Sequence, residues 1–393
     1  MQEVVIAGAA RTAIGKFGGS LSGIPVTELG TTVVKEAMRK AGVAPEEVHE
    51  LIMGHVLQAG VGLNSAHQVS RKSGMPISVS SYTVNKVCAS GMKAVALGAL
   101  AIASGENKVV IAGGMENMSA APFLLTKARW GYRLGNGEIN DYILSDALTD
   151  PLENCHMGIT AENLAKEFDI TRRMQDEFSF QSQQKAAEAQ KNGKFDEEIV
   201  TVEVPVRKGD TLLFNKDEFI RTDTSIEALS CLKTVFDKHG TVTAGNASGI
   251  NDGAAAMVLM SADEAKKREI KPMAKIISYA SAGVEPGRMG IGPVDASKKA
   301  MDKAGLKISD IDVIELNEAF AAQSLAVIGQ LGIDCEKVNL NGGAIAIGHP
   351  VGASGARIIV TLLHIMEEKK SRLGLATLCI GGGQGMALIV ERC

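Results

Sequence analysis

The chain has 393 residues, enough for two or three domains around a sizeable buried core. Its formal net charge is −4, so there is no sign of the basic surface that nucleic-acid binding requires. Because no run of eighteen apolar residues occurs, we expect no transmembrane helix. Glu3 stands where a signal peptide carries basic residues, and an apolar strand pattern follows at once. We therefore expect a cytoplasmic protein with no nucleic-acid or membrane partner.

The first feature along the chain is a pattern that returns later. Residues 36–55 read EAMRKAGVAPEEVHELIMGH, and residues 299–318 read KAMDKAGLKISDIDVIELNE. Each segment predicts an amphipathic helix, a short acidic turn and an apolar strand. Gly42 and Gly305 stand where the end of a helix favours the left-handed conformation.

A second pair of matching segments follows at nearly the same spacing. Ala-Ser-Gly at 89–91 returns at 353–355, and each copy begins an apolar helix that leads to a glycine-ending buried strand, at 109–114 and 376–382. Three matches in the same order indicate an internal duplication. The alternation of strands and helices predicts an α/β fold. Since residues 94–103 are apolar nearly all round, we expect two sheets that share central helices.

The stretch between the two copies differs in character. Residues 119–249 contain the only tryptophan and a long polar helix over 171–192, which is typical of an inserted loop domain. Residues 254–261 return to the composition of a buried strand. We therefore predict one half from residues 1–118 with 250–270, an insert over 119–249, and a second half over 271–393.

Cys88 is the first candidate for chemistry, in the segment VNKVCASG at 84–91. A strand is predicted to end at the cysteine and a helix to begin directly after it. The helix dipole and unpaired N–H groups would then favour the thiolate and lower the pKa of Cys88. The alternative is a buried cysteine at a tight turn.

Asn317 and His349 are the next candidates. Asn317 follows a predicted strand, where it could orient a water molecule, donate to an oxyanion or cap a helix. His349 lies between Gly348 and Pro350 in a glycine-rich loop. Because the duplication aligns Gly352 with Cys88, the His349 loop should meet the Cys88 loop near a pseudo-twofold axis. A Cys–His pair for nucleophilic catalysis is then expected.

Cys379 is the last candidate, at a predicted strand end before Gly381, Gly382 and Gly383. The N–H groups of such a turn can form an oxyanion hole. A hairpin with an incidental cysteine is the alternative. The six cysteines show no metal-ligand spacing, so we expect no metal site.

Together these motifs resemble the thiolase family along the whole chain. The segments AGGMENMS at 112–119 and HMGITAEN at 156–163 are similar to its biosynthetic, acetoacetyl-CoA-forming branch. The resemblance implies a duplicated fold of two mixed sheets with helices between and outside them, in five layers (αβαβα), plus the inserted loop domain. It also implies a homotetramer built as a dimer of dimers.

The resemblance further implies an acyltransferase that reversibly condenses two acetyl-CoA molecules to acetoacetyl-CoA and CoA. By this resemblance Cys88 becomes acetylated after His349 takes its proton, and Cys379 deprotonates the second acetyl-CoA. Asn317, through a water, and His349 would polarise one thioester oxygen, and the N–H groups of Cys88 and Gly381 would hold the other oxyanion. No metal or other cofactor is implied.

Substrate contacts also follow from the resemblance. Arg221 and Ser248 match contacts to CoA, and the residues that match the pocket lining are His156, Met157, Phe236, Met289 and Phe320. Four cations, Arg207, Lys208, Lys216 and Lys233, either assist with phosphates or form a solvated face.

Three other functions are open at this stage. One is a degradative 3-ketoacyl-CoA thiolase for longer chains, and another is a ketoacyl synthase. The third is a non-catalytic redox-sensing relative, and oxidation of Cys88 and Cys379 to a disulfide is a related hypothesis.

Overall fold

The computed structural model describes residues 2–206 and 209–393. Its strands are β1 (Val4–Thr12), β2 (Gly15–Lys16), β3 (Glu50–Gly54), β4 (Ser80–Val84), β5 (Val109–Asn117), β6 (Phe123–Leu124), β7 (Asn140–Asp141), β8 (Thr149–Asp150), β9 (Cys155–His156), β10 (Ile199–Val200), β11 (Val202–Pro205), β12 (Thr211–Phe214), β13 (Asn251–Ser261), β14 (Ala274–Gly283), β15 (Val313–Leu316), β16 (Leu373–Ile380) and β17 (Gln384–Arg392). Its α-helices are α1 (Val26–Ala41), α2 (Ser65–Lys72), α3 (Ser90–Ala103), α4 (Met157–Glu167), α5 (Arg172–Lys191), α6 (Ile226–Ser230), α7 (Ala262–Lys267), α8 (Gly292–Ala304), α9 (Ala321–Leu331), α10 (Ala344–Ile347) and α11 (Val351–Lys369).

The two halves of the chain form sheets of the same topology. The N-terminal half has the order β4-β3-β5-β13-β1, and the C-terminal half has the order β15-β16-β17-β14. In the N-terminal half β1 pairs antiparallel with β13, β13 pairs antiparallel with β5, and β5 pairs parallel with β3. In the C-terminal half β14 pairs antiparallel with β17, β17 pairs antiparallel with β16, and β16 pairs parallel with β15. The place of β4 is taken in the C-terminal half by a single parallel bridge between Ile314 and Val338. This shared order confirms the predicted duplication.

The two sheets are joined along one edge. Val5 pairs with Lys275 and Ile6 with Ala274, so β1 and β14 link the halves into one mixed sheet of eleven strands. The two predicted mixed sheets are therefore present, and their hydrogen-bonded ladders are continuous through this short antiparallel contact.

The helices complete five layers. Helices α3 and α11 pack in one buried core with strands from both halves, so they form the central layer. Helices α1 and α2 cover the outer face of the N-terminal sheet, and α8 and α9 cover that of the C-terminal sheet. The predicted αβαβα arrangement is confirmed.

Small residues explain how closely the central helices approach. A Cβ atom on Gly91 would lie 2.8 Å from the backbone nitrogen of Ala356, and one on Gly355 would lie 2.7 Å from that of Met92. The two Ala-Ser-Gly segments therefore pack on each other, and the loops that precede them meet at the axis of the duplication.

The predicted helix ends are also present. Gly42 ends α1 with a φ of 63°, and Gly305 ends α8 with a φ of 67°. The polar helix predicted over 171–192 is α5, and its N-cap Thr171 accepts a hydrogen bond from the N–H of Met174. Within the described ranges, we find no helix whose length and apolar character would let it cross a bilayer.

Candidate active site

Cys88 lies in a tight turn between β4 and α3. Val87, directly before it, has a φ of 48°, which is an unusual conformation for a β-branched residue. The hydroxyl of Ser90 holds this turn, because it accepts from the N–H of Lys86 at 2.8 Å and donates to the carbonyl of Val87 at 2.6 Å. The turn places the Cys88 thiol in the wall of a cavity.

That cavity has a volume of about 380 Å³ and collects all but one of the predicted site residues. Cys88, His349, Cys379 and Gly381 line it together with the predicted binding residues His156, Met157, Arg221, Phe236, Ser248, Met289 and Phe320. Two thiols and an imidazole from three separate segments thus face one space. The exception is Asn317.

His349 follows α10 and precedes α11. Its backbone N–H donates to the side-chain oxygen of Asn251 at 2.9 Å, and its ring nitrogen Nδ1 lies 2.5 Å from the hydroxyl of Ser354. Burial, together with the positive charge of Arg357, lowers the pKa of His349 to about 3. The imidazole is therefore neutral at physiological pH and able to accept a proton.

The Cys88 thiol is a protonated acid at neutral pH. Burial raises its pKa to about 11, although the N–H groups of Gly381 and of Cys88 itself oppose this change. The expectation that the helix dipole lowers the pKa of Cys88 is therefore wrong, because desolvation of the thiolate outweighs the N–H groups. A base is needed before Cys88 can act as a nucleophile.

Cys379 is the next-to-last residue of β16 and is fully buried. Burial raises the pKa of its thiol, and the nearby Cys88 raises it further. Gly381, Gly382 and Gly383 then turn the chain into β17, and the last two have φ values of 83° and 81°. The hairpin expected as an alternative is thus real, and it holds the thiol in the cavity. Both cysteines are free thiols.

Asn317 lies outside the cavity wall. Its backbone N–H donates to the carbonyl of Thr377 at 3.0 Å, and its side chain is fully buried. Neither side-chain atom of Asn317 has a hydrogen-bond partner within 2–206 or 209–393. An unpaired buried amide is costly, and a water molecule is the kind of partner that can satisfy one.

One side of the cavity is an aromatic and methionine wall. The rings of His156 and Phe236 stack at 4.5 Å, and Phe236 meets Phe320 edge to face at 6.2 Å. The Met157 side chain packs against Gly381, where a Cβ atom would lie 2.9 Å from the methionine Cε. Met289 is buried in the same cluster. These contacts close the cavity beside the two thiols.

Family comparisons cover nearly the whole chain. The family model described as "Thiolase, N-terminal domain" matches residues 4–263, and "Thiolase, C-terminal domain" matches residues 270–392. The chain belongs to the thiolase family.

The chain also aligns with similar proteins over nearly their full lengths. This thiolase is 58% identical over 392 residues to an acetyl-CoA acetyltransferase of Cupriavidus necator, with 100% of both chains covered. It is also 58% identical over 393 residues to an acetyl-CoA acetyltransferase of Escherichia coli, again with 100% of each covered. A crystal structure of the Bacillus anthracis acetyl-CoA acetyltransferase superposes with a TM-score of 0.98 at 45% identity, covering 100% of this chain and 99% of that one.

Arg221 is a charged residue in the lining of the thiolase cavity. Arg221 is exposed, and its guanidinium lies 5.4 Å from the centre of the Phe219 ring. It is the one Lys or Arg that the described residues contribute to the lining. Lys216 and Lys233 are exposed and do not line the cavity. Arg207 and Lys208 lie outside the described residues.

Sequence reasoning missed part of this thiolase site. Leu144, Ala147 and Leu148 line the cavity from a short π-helix, residues 144–148, where nothing in the local sequence marks them.

Glu116 is a second residue that the sequence analysis did not identify. Its buried carboxylate accepts from the N–H groups of Val56, Leu57 and Gly352, and so it ties the loop after β3 to the start of α11. An acidic residue inside an otherwise apolar strand was the available signal.

Proposed function

We propose that this thiolase is an acetyl-CoA C-acetyltransferase, which condenses two acetyl-CoA molecules reversibly to acetoacetyl-CoA and CoA. The observation that carries the proposal is the meeting of two cysteine thiols and one neutral imidazole in a single cavity. Two thiols divide the labour of a ping-pong reaction, in which one carries the acetyl group and the other handles the carbon acid.

In the first half-reaction, Nε2 of His349 takes the proton of Cys88, and the thiolate attacks the carbonyl carbon of acetyl-CoA. The N–H groups of Cys88 and Gly381 stabilise the oxyanion, which is supported by their effect on the sulfur itself. When the intermediate collapses, the bond to the CoA sulfur breaks. The departing CoA thiolate takes the proton of Cys379.

The second half-reaction begins with acetyl-Cys88, a Cys379 thiolate and a protonated His349. The Cys379 thiolate removes a methyl proton from the second acetyl-CoA. His349 and a water held by Asn317 donate to the enolate oxygen. The enolate carbon then attacks acetyl-Cys88, acetoacetyl-CoA forms, and the released Cys88 thiolate recovers its proton from His349. All three groups return to their starting states.

Substrate length follows from the closed wall. Met157, Met289 and Phe320 line the cavity and are buried in one cluster with Cys379, and we propose that they limit the substrate to a short acyl group such as acetyl. Arg221 and Ser248 are proposed to contact CoA. The reaction as written uses no metal or redox cofactor.

We further propose a cytoplasmic homotetramer, a dimer of dimers. The segment 123–139 exposes several large apolar side chains: Phe123 is 65% exposed, Trp130 87%, Leu134 99% and Ile139 65%. A cluster of this kind on a protein surface is typical of an interface with another subunit. The family resemblance supplies the number of subunits.

The decisive measurement is steady-state thiolysis with 3-ketoacyl-CoA substrates of increasing length. We expect the highest kcat/KM with acetoacetyl-CoA and a steep fall towards 3-ketohexadecanoyl-CoA. Equal rates with both substrates would instead favour the degradative thiolase. Consumption of malonyl groups on a carrier protein would favour a ketoacyl synthase.

A further inference from the structure

Ser354, in the first turn of α11, makes the ring contact that fixes His349. The distance from Oγ to Nδ1 is 2.5 Å, and the serine is fully buried. Within residues 2–206 and 209–393, the His349 ring makes this one hydrogen bond. Since Nδ1 is engaged, Nε2 is the nitrogen left for the cavity that holds Cys88 and Cys379.

The duplication explains why this hydroxyl is available. Ser90, the counterpart of Ser354, uses its lone pair to accept from the backbone N–H of Lys86 at 2.8 Å. The residue that corresponds to Lys86 is Pro350, which has no N–H to donate. The acceptor that Ser90 uses for its own backbone is therefore free in Ser354, and the imidazole occupies it.

The same hydroxyl also lies beside a second acceptor, the carbonyl oxygen of Pro350. A serine hydroxyl has a single hydrogen, and Ser354 Oγ lies 2.8 Å from the carbonyl oxygen of Pro350, which can only accept. With the hydroxyl hydrogen directed to Pro350, the hydrogen between Ser354 and His349 belongs to Nδ1. The neutral imidazole then has a bare Nε2, as a base for Cys88 requires.

We propose that Ser354 is a positioning residue that orients the His349 ring and holds its proton on Nδ1. The inference rests on the proposed role of His349 as the base for Cys88. Without the hydroxyl, the ring is free to rotate and to carry its proton on Nε2. A wrongly protonated histidine costs up to about 10⁴ in rate when its partner is a carboxylate, and for a hydroxyl we expect roughly 10- to 100-fold.

The test compares single-turnover acetylation of Cys88 by acetyl-CoA, followed by intact mass after rapid quenching. We expect Ser354→Ala to acetylate about 10- to 100-fold more slowly with little change in the acetyl-CoA concentration at half-maximal rate, and Ser354→Thr to recover most of the loss. The control is Ser179→Ala, which removes another fully buried hydroxyl that donates to a helix carbonyl, that of Gln175 at 2.8 Å. Acetylation of Ser354→Ala at the wild-type rate would overturn the proposal.

A second measurement reads the proton directly in the wild-type protein and does not depend on how the Ser354 variants fold. Nitrogen-15 labelling of the seven histidines gives the protonated nitrogen of each neutral ring, and His349→Gln identifies the signal of His349. We expect the proton on Nδ1 in the wild-type protein, and a proton on Nε2 would overturn the proposal. If wild-type Cys88 is not acetylated at all, the proposed function fails, while the position of the proton still decides the role of Ser354.

Discussion

The starts of α3 and α11 are two copies of one structure with opposite chemistry. Both carry Ala-Ser-Gly at or near the start of the helix, and the two segments pack on each other at the axis of the duplication. The first copy carries the thiol of Cys88 after the strained Val87, whereas the second has Gly352 in the place of Cys88 and His349 three residues before it. Duplication thus supplied two equivalent loops at one place, and their divergence placed a thiol and an imidazole in one cavity.

Removal of the Cys88 thiol or the Cys379 thiol should have the largest effect on turnover. We expect Cys88→Ala to lose turnover by about 10⁴-fold or more and to form no acetyl-enzyme. Cys379→Ala should lose turnover as well, yet its Cys88 should still become acetylated, because His349 activates Cys88 and the CoA thiolate can take its proton from water in place of Cys379. Steady-state assays and intact mass after incubation with acetyl-CoA measure the two effects. The division of roles is wrong if both variants lose acetylation equally.

Gly352 occupies in the second loop the position that Cys88 has in the first, and a side chain there should destabilise the protein. A Cβ atom there would lie 2.7 Å from Oε2 of Glu116 and 2.9 Å from the carbonyl oxygen of Met115. We therefore expect Gly352→Ala to lower the free energy of unfolding by about 1–3 kcal/mol. Chemical denaturation measures this change.

Gly329→Ala is the matched control, because this exposed glycine of α9 has no atom within 4 Å of its Cβ position. That control should gain up to about 1 kcal/mol from helix propensity. Equal stability of the two variants would show that Glu116 yields without cost.

The smallest expected effect concerns the helix ends, where the two halves are still alike. Gly42 and Gly305 have nearly equal positive φ values, and neither has an atom within 4 Å of its Cβ position. Alanine at either position should therefore cost only the backbone conformation, about 1 kcal/mol in each case. Thermal or chemical unfolding should give the same loss for both variants. A clear inequality would mean that one end is restrained by contacts elsewhere.

The sequence predicted the duplication, the layers and the candidate thiols because each left a local pattern. The spacing of repeated segments required paired loops at an axis, and Cys88, His349 and Cys379 do line one cavity. The division into two halves with an insert over 119–249 stays a prediction, as do the roles of the site residues.

The features that the sequence did not predict depend on tertiary packing. The pKa of Cys88 was expected to fall because its helix was visible in the sequence, whereas the burial that raises it was not. Asn317 was placed by its strand end, but only the packed structure shows that it is fully buried and does not line the cavity. Leu144 and Leu148 gave no signal, since aliphatic residues in a π-helix look like any others.

Trp130 gives the protein a built-in optical reporter. It is the only tryptophan in the chain, and its ring stands 87% exposed among the apolar side chains proposed to meet another subunit. Its fluorescence emission should therefore lie at long wavelength in a dissociated subunit and shift to shorter wavelength when subunits associate. Dilution of the unlabelled protein in a fluorimeter would then follow assembly directly, with no competing tryptophan signal.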